Sequence, residues 1–136
     1  MKGLSRLGAS SPLAAAPVLF DAAGEAAGAG CSRLAILAQE KLGDVRLLLD
    51  QRLTASALEL LLSALLAAAA DRAGLDHPVS PQEAGVWICG EAATSGIFDA
   101  QEVGLLLRGV SLAQAAAVPE PLVTALVDEV ARFVAA

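Results

Sequence analysis

The chain has 136 residues and a formal net charge of −6, with nine Lys and Arg residues against fifteen Asp and Glu residues. This length fits a single domain, which buries about two-thirds of its unfolded surface and can therefore build one real core. The basic residues are scattered singly, whereas phosphate groups are bound by clustered cations. Nucleic acid and anionic lipid are therefore disfavoured as main partners.

The composition favours closely packed helices. Hydrophobic residues make up 56% of the chain but aromatic residues only 3%, so the apolar excess consists of Ala, Leu and Val. Alanine has the highest helix propensity and lets neighbouring helices approach closely. The mean hydropathy of +0.62 indicates more apolar surface than one small core can hide. We therefore expect association with protein, either a different partner or further copies of the chain.

Residues 1–30 are rich in Gly, Ala, Ser and Pro and show no sustained periodicity. This pattern predicts a flexible N-terminal arm, and it leaves 31–136 as a single helical domain. The apolar stretch 13–20 has the position of a signal sequence, but Pro17 interrupts it and no small-residue cleavage site follows. We therefore expect a cytoplasmic protein.

Two long helices are predicted first. Apolar residues recur at three- and four-residue steps from Ser32 to Leu53, which indicates an amphipathic helix. Thr54 is predicted to cap the next helix, which runs to about Ala73 and stops at Gly74.

The second helix is apolar on nearly all sides, which is typical of a central core helix. Residues 53–70 hold only one charge, Glu59, and their length is borderline for crossing a bilayer. Because a carboxylate inside a membrane needs a partner, we expect a core helix and disfavour a membrane span.

Two capping-box patterns mark further helices. Ser80-Pro81-Gln82-Glu83 combines a capping serine, a proline at the first helical position and a glutamate three residues after the cap. The helix that follows is predicted to turn Ala84, Trp87 and Ile88 inward. Residues 99–102 repeat the pattern and begin a helix that is predicted to end at Gly109.

The C-terminal part is predicted to hold two helices, a short one from Ser111 to about Val118 and a longer one from Glu120 or Pro121 to the end. No alternating strand pattern of useful length occurs. The predicted fold is all-α, an irregular or orthogonal bundle of five to six helices behind the N-terminal arm.

The residues that usually carry chemistry are sparse. His77 is the only histidine, and Cys31 and Cys89 lack the paired spacing of metal ligands. Cys89 follows the apolar residues 86–88, where a small buried hydrophobic residue is sufficient. We expect no catalytic, cofactor-binding or metal-binding residues, and hence a non-catalytic protein.

The segment 91–102 partly resembles a calcium loop, with Gly96 at the sixth position and Glu102 at the twelfth. Ala93 and Ser95 stand where calcium loops place oxygen donors, so the ligand set is incomplete. Glu102 is better explained as part of the capping box over 99–102.

The stretch 111–130 resembles the helix-turn-helix pattern of bacterial regulators. It has a Leu112-Ala113 start, Val118 at the turn and Val123 five residues later. The resemblance implies a dimeric DNA-binding regulator that places the second helix in the major groove.

The chemistry of that second helix opposes DNA binding. The helix begins at Glu120, carries Asp128 and Glu129, and has no cation before Arg132. Recognition helices usually bring Arg, Lys, Asn or Gln to the bases and cations to the phosphates. DNA binding is therefore kept as an alternative function.

The leading hypothesis is a non-catalytic helical protein-binding module, such as a regulator, adaptor or chaperone, that acts through apolar helix faces. An accessory subunit of a larger enzyme is a further alternative. The predicted contact residues are the apolar ones least needed for a single core: Leu60, Leu107, Leu122 and Val130. Replacing Val130 with Arg is predicted to weaken self-association and leave the helical content intact.

Overall fold

A computed structural model describes residues 32–136, so the predicted arm over 1–30 lies outside the described residues. Five α-helices and no strand occur in this part of the chain, which confirms the all-α class. The helices are α1 (Arg33–Asp50), α2 (Thr54–Arg72), α3 (Pro81–Trp87), α4 (Ala100–Ala113) and α5 (Glu120–Ala135). A π-helical turn, Ile88–Ala92, continues α3.

Helix α2 lies at the centre of the core and contacts α3, α4 and α5. Its leucines Leu61, Leu65 and Leu66 are almost completely buried, as are most of its alanines. Of the described helices, only α2 is long and apolar enough to cross a membrane, and 56% of that stretch is buried inside the protein. Burial against helices on several sides accounts for its high hydropathy.

Helix α2 ends as the sequence predicts. Gly74 has a φ of 78°, a backbone conformation that glycine adopts without steric cost. The amide of Leu75 donates to the carbonyl of Ala70, and that of Gly74 donates to the carbonyl of Asp71. These two hydrogen bonds form a Schellman motif, which closes the C-terminus of the helix.

Helix α1 ends with the same motif but without glycine. The amide of Leu53 donates to the carbonyl of Leu48, and that of Arg52 donates to the carbonyl of Leu49. Arg52 takes the left-handed position with a φ of 64°. The prediction that Thr54 caps α2 is wrong, because Leu53 occupies the cap position and no side chain makes a capping bond there.

The two predicted capping boxes have different outcomes. The Asp99 carboxylate accepts a hydrogen bond from the Glu102 amide at 2.8 Å, and the Glu102 carboxylate accepts one from the Asp99 amide at 3.0 Å. Ser80 occupies the cap position of α3, but its side chain makes no capping bond. The start of α3 is therefore set by the extended backbone at Ser80 and by Pro81.

Gly109 does not end a helix, and the predicted separate helix over 111–118 is wrong. Helix α4 continues through Ala113, and residues 114–119 connect it to α5. Gly109 lies where α4 approaches α2, and a Cβ atom at this position would be 2.8 Å from Leu65 Cδ2. The glycine therefore allows close helix packing.

The inward face predicted for α3 is largely confirmed. Ala84 and Ile88 are buried and Trp87 is half-buried. The prediction that Cys89 is a small buried residue is wrong, because the Cys89 thiol is exposed. Cys89 follows Ile88 in the π-helical turn, and the next position along a helical turn points to a different side.

An aromatic cluster closes one end of the core. The Phe98 ring stacks on the Phe133 ring with a centroid distance of 6.2 Å, and the Trp87 ring meets Phe98 edge-on. The Arg72 guanidinium carbon lies 4.1 Å from the centroid of the Phe133 ring. The same guanidinium pairs with the Glu102 carboxylate and donates to the Phe133 carbonyl oxygen at 3.1 Å. One arginine thus connects α2, α4 and α5.

Candidate functional site

An apolar groove of about 410 Å³ lies between α4 and α5. Its lining comes from two turns of each helix and is mostly aliphatic. The residues are Leu107, Arg108, Ser111 and Leu112 from α4, and Leu122, Ala125, Leu126 and Glu129 from α5. We refer to this surface as the α4–α5 groove.

Two of the four predicted contact residues come together in this groove. Leu122 from α5 has 52% of its surface exposed and Leu107 from α4 has 38% exposed. Leu60 is half-buried, packs against the core and does not line the groove. The two exposed leucines are therefore the ones that share a surface.

Val130 is not on any surface. Its side chain is completely buried within the described part of the chain, in the same core as the α2 leucines. The choice of Val130 as a residue dispensable for the core is therefore wrong. An arginine at this position would bury an unpaired charge, so we now expect Val130→Arg to lower the helical content as well.

The exposure of the two leucines follows from helix geometry. Leu106 and Val123 are completely buried, and Leu107 and Leu122 are their immediate neighbours in sequence. Adjacent helix residues point about 100° apart, so a leucine beside the buried stripe emerges at its edge. The apolar stripes of α4 and α5 are therefore wider than the faces that they bury.

A charged pair lies at the rim of the α4–α5 groove. The two terminal nitrogens of the Arg108 guanidinium, Nη1 and Nη2, donate to the Glu129 carboxylate at 2.9 and 2.6 Å. The hydrogen bonds from Arg108 hold the pKa of the Glu129 carboxyl below its ordinary value, and the same bonds raise the pKa of Arg108. This bidentate geometry fixes the direction of both side chains.

The sequence pattern gives no sign of this pair. Adjacent carboxylates such as Asp128 and Glu129 are typical of a solvated helix face. Asp128 is exposed as this pattern predicts, but Glu129 is half-buried. Arg108 lies 21 residues away on another helix. No periodic signal connects two such positions, because their contact depends on how α4 packs against α5.

The groove has few polar side chains. Of the residues over 32–136, Arg108, Ser111 and Glu129 are the polar ones in its lining, and the two charged ones bind each other. No group of three potential metal ligands occurs within residues 32–136. An apolar side chain of a ligand can enter the groove, and the charged pair at the rim can orient the ligand segment that carries this side chain.

A second, more polar pocket of about 260 Å³ lies beside the end of α5. Its carboxylate Glu102 already accepts hydrogen bonds from the Asp99 amide and from Arg72. These bonds stabilise the start of α4 and the aromatic cluster. The pocket is thus lined in part by groups that hold the fold together.

The structure over 111–130 differs in geometry from the helix-turn-helix motif that its sequence resembles. Six residues, 114–119, separate α4 from α5, whereas DNA-binding helix-turn-helix motifs have a turn of about three or four residues. The exposed positions of α5 include Leu122, Asp128 and Arg132. DNA binding therefore stays a prediction with no structural feature in its favour.

A comparison with protein-family models finds no match, and comparisons with curated proteins and with solved structures find no significant similarity. The functional argument therefore depends on the α4–α5 groove itself.

Proposed function

We propose that the protein is a non-catalytic protein-binding module and that its binding surface is the α4–α5 groove. One observation carries this proposal: Leu107 and Leu122 are both exposed and both line the same concave apolar surface. Exposed leucines are ordinary when isolated, but leucines clustered around a groove are typical of interaction surfaces.

The charged rim supports a protein as the ligand. A protein partner offers apolar side chains together with carboxylates and cations, and it can therefore match Leu122 and the Arg108–Glu129 pair at once. A nucleic acid would place phosphates beside Glu129 and leave the leucines against a polar backbone. The lining thus favours a protein over a polyanion.

A cytoplasmic location belongs to the proposal. It is supported by the burial of α2 in the core, which gives this apolar helix a role inside a folded domain.

Site-specific photo-crosslinking tests the proposed surface. A benzophenone amino acid replaces Leu122 in the groove or, as a matched control, Leu47, an exposed leucine on α1. Each variant is irradiated as purified protein and in an extract of the source cells. We expect a discrete covalent protein adduct from position 122 and none from position 47, because position 122 lines the apolar groove and position 47 does not.

The outcomes separate the candidate functions. An adduct from position 122 with a subunit of an enzyme would identify the accessory-subunit alternative within the protein-binding class. The absence of any adduct from position 122, or equal adducts from both positions, would overturn the proposed surface.

A further inference from the structure

The α4–α5 groove combines an exposed leucine with an apolar hollow. The Leu122 side chain is 52% exposed and forms part of the wall of a cavity of about 410 Å³. In a two-fold symmetric contact a surface meets its own copy, so it must be complementary to itself. Each copy offers both an exposed aliphatic side chain and an aliphatic groove, which satisfies this requirement in polarity.

The charges at the rim are also self-complementary. Arg108 and Glu129 lie side by side, and a second copy turned by 180° presents them in the reverse order. Arg108 of each copy then faces Glu129 of the other. A partner that carries one sign of charge would instead oppose one member of the pair.

The rim of the α4–α5 groove carries a neutral pair although the chain as a whole is acidic. The whole chain carries −6, so two copies repel each other on average. The rim pair contributes one positive and one negative charge and is neutral as a unit. The electrostatic repulsion between two copies that approach through the α4–α5 groove is therefore weaker than the net charge of the whole chain would produce.

We propose that the partner bound at the α4–α5 groove is a second copy of the same chain. In this two-fold symmetric dimer Leu122 of each copy enters the groove of the other. The Arg108–Glu129 pair stays bonded within each chain, and the two pairs face each other in reverse order, so that opposite charges are opposed across the symmetry axis. The inference rests on the proposed function, because it names the partner of the same surface.

Charge reversal tests the dimer with the full chain. Arg108→Glu places two carboxylates at the rim, and Glu129→Arg places two guanidinium groups there. Each variant alone should raise the dimer dissociation constant at least about tenfold relative to wild type, because like charges then face each other. A mixture of the two variants should recover association to within about threefold of wild type, because every facing pair is then opposite in sign. Sedimentation velocity measures all of these constants.

Two controls protect the test against a folding defect. The chain that carries both substitutions keeps one charge of each sign and should dimerise like wild type. Leu122→Asp should abolish the dimer, whereas Leu47→Asp on α1 should leave it unchanged. Helical content measured by circular dichroism should be the same in all variants, since the altered side chains are exposed or half-buried.

Three results would overturn the dimer. The first is wild-type protein that stays monomeric up to about 1 mM, the weak end of the affinity scale. The second is a single charge reversal that dimerises like wild type, and the third is a mixture of the two variants that stays monomeric. The photo-crosslink at position 122 separates this failure from failure of the proposed function. An adduct of twice 13.7 kDa supports the dimer. An adduct with another protein only overturns the dimer and leaves the proposed function standing, and no adduct overturns both.

Discussion

The two sides of helix α4 differ in how much change they can accept. On the side that faces α2, Gly109 leaves no room for a methyl group beside Leu65, and Glu102 pairs with the Arg72 guanidinium. On the side that faces the groove, Leu107 is partly exposed and Arg108 lies at an open rim. The same helix thus carries one face that is packed into the fold and one face that is partly exposed.

Each side also contains an arginine–glutamate pair, and the surroundings of the two pairs differ. About a quarter of the Arg72 and Glu102 side-chain surface is exposed, against 52% for Arg108 and 34% for Glu129. Exposed ion pairs contribute little to stability because water screens both charges. The first pair is therefore expected to stabilise the fold, and the second to determine what the groove accepts.

The largest effect is expected from Arg72→Ala. This change removes a guanidinium that stacks on Phe133 and leaves the half-buried Glu102 carboxylate without its charged partner. We expect a loss of about 2–4 kcal/mol in the free energy of unfolding, from the charged hydrogen bonds and the cation–π contact together. Urea denaturation followed by circular dichroism measures this loss.

Arg108→Ala is the matched control for that experiment. It removes the arginine of the open pair and should cost less than about 1 kcal/mol. Equal losses in the two variants would contradict the distinction between the two sides of α4.

A smaller effect is expected from a single methyl group on the packed side. Gly109→Ala brings a Cβ atom within 2.8 Å of the Leu65 side chain, which is completely buried and has little room to move. Overpacking typically costs about 1–3 kcal/mol. The higher helix propensity of alanine returns about 0.5–1 kcal/mol, so we expect a net loss of up to about 2.5 kcal/mol. Thermal and urea unfolding of the purified variants both report this quantity.

Gly104→Ala provides the control on the same helix, because no atom lies within 4 Å of a Cβ atom at that position. This variant should gain about 0.5–1 kcal/mol from the higher helix propensity of alanine. If both alanine variants were stabilised equally, Gly109 would have no packing role.

The sequence alone predicts much of the fold because its signals are local. The capping box of Asp99 and Glu102 and the stop at Gly74 depend on residues within a few positions of each other. The apolar stripe of α1, which buries Leu34, Ala38, Leu42 and Val45, follows from helical periodicity. Such features need no knowledge of how the helices are arranged.

The errors concern contacts between helices or unusual backbone positions. Gly109 was interpreted as a helix end because its close approach to Leu65 depends on the crossing of α2 and α4. Arg52 occupies a left-handed position that sequence patterns assign to glycine or asparagine. Neither position carries a local signal that reveals its role.

Part of the candidate site could be predicted from the sequence, and the part that depends on packing between helices could not. Leu107 and Leu122 belong to apolar stripes that are wider than a buried face, and a sequence shows that width. Val130 belongs to the same α5 stripe but is completely buried, and only the packing around α5 distinguishes it from Leu122. The Arg108–Glu129 pair depends on tertiary packing alone.

The smallest effect concerns pH and the open side of α4. Arg108 holds the pKa of the Glu129 carboxyl below its ordinary value in the folded chain, so the folded state binds that proton less readily than the unfolded state. The stabilisation by the pair is therefore complete above the ordinary carboxyl pKa and is lost as the pH falls through the lowered folded pKa.

The Glu129→Gln variant isolates this contribution because it removes the titrating group and keeps the shape of the side chain. The difference in unfolding free energy between wild type and this variant should stay below about 1 kcal/mol, since the pair is largely exposed. It should be constant near neutral pH and shrink in acid, when measured at a dilution that keeps the chain monomeric. Arg72 and Glu102 are unchanged in both proteins, so their contribution cancels in the difference. A difference that grew as the pH fell would show that the carboxylate destabilises the fold. The rim pair would then be retained for binding at the expense of stability, which would sharpen the contrast between the two sides of α4.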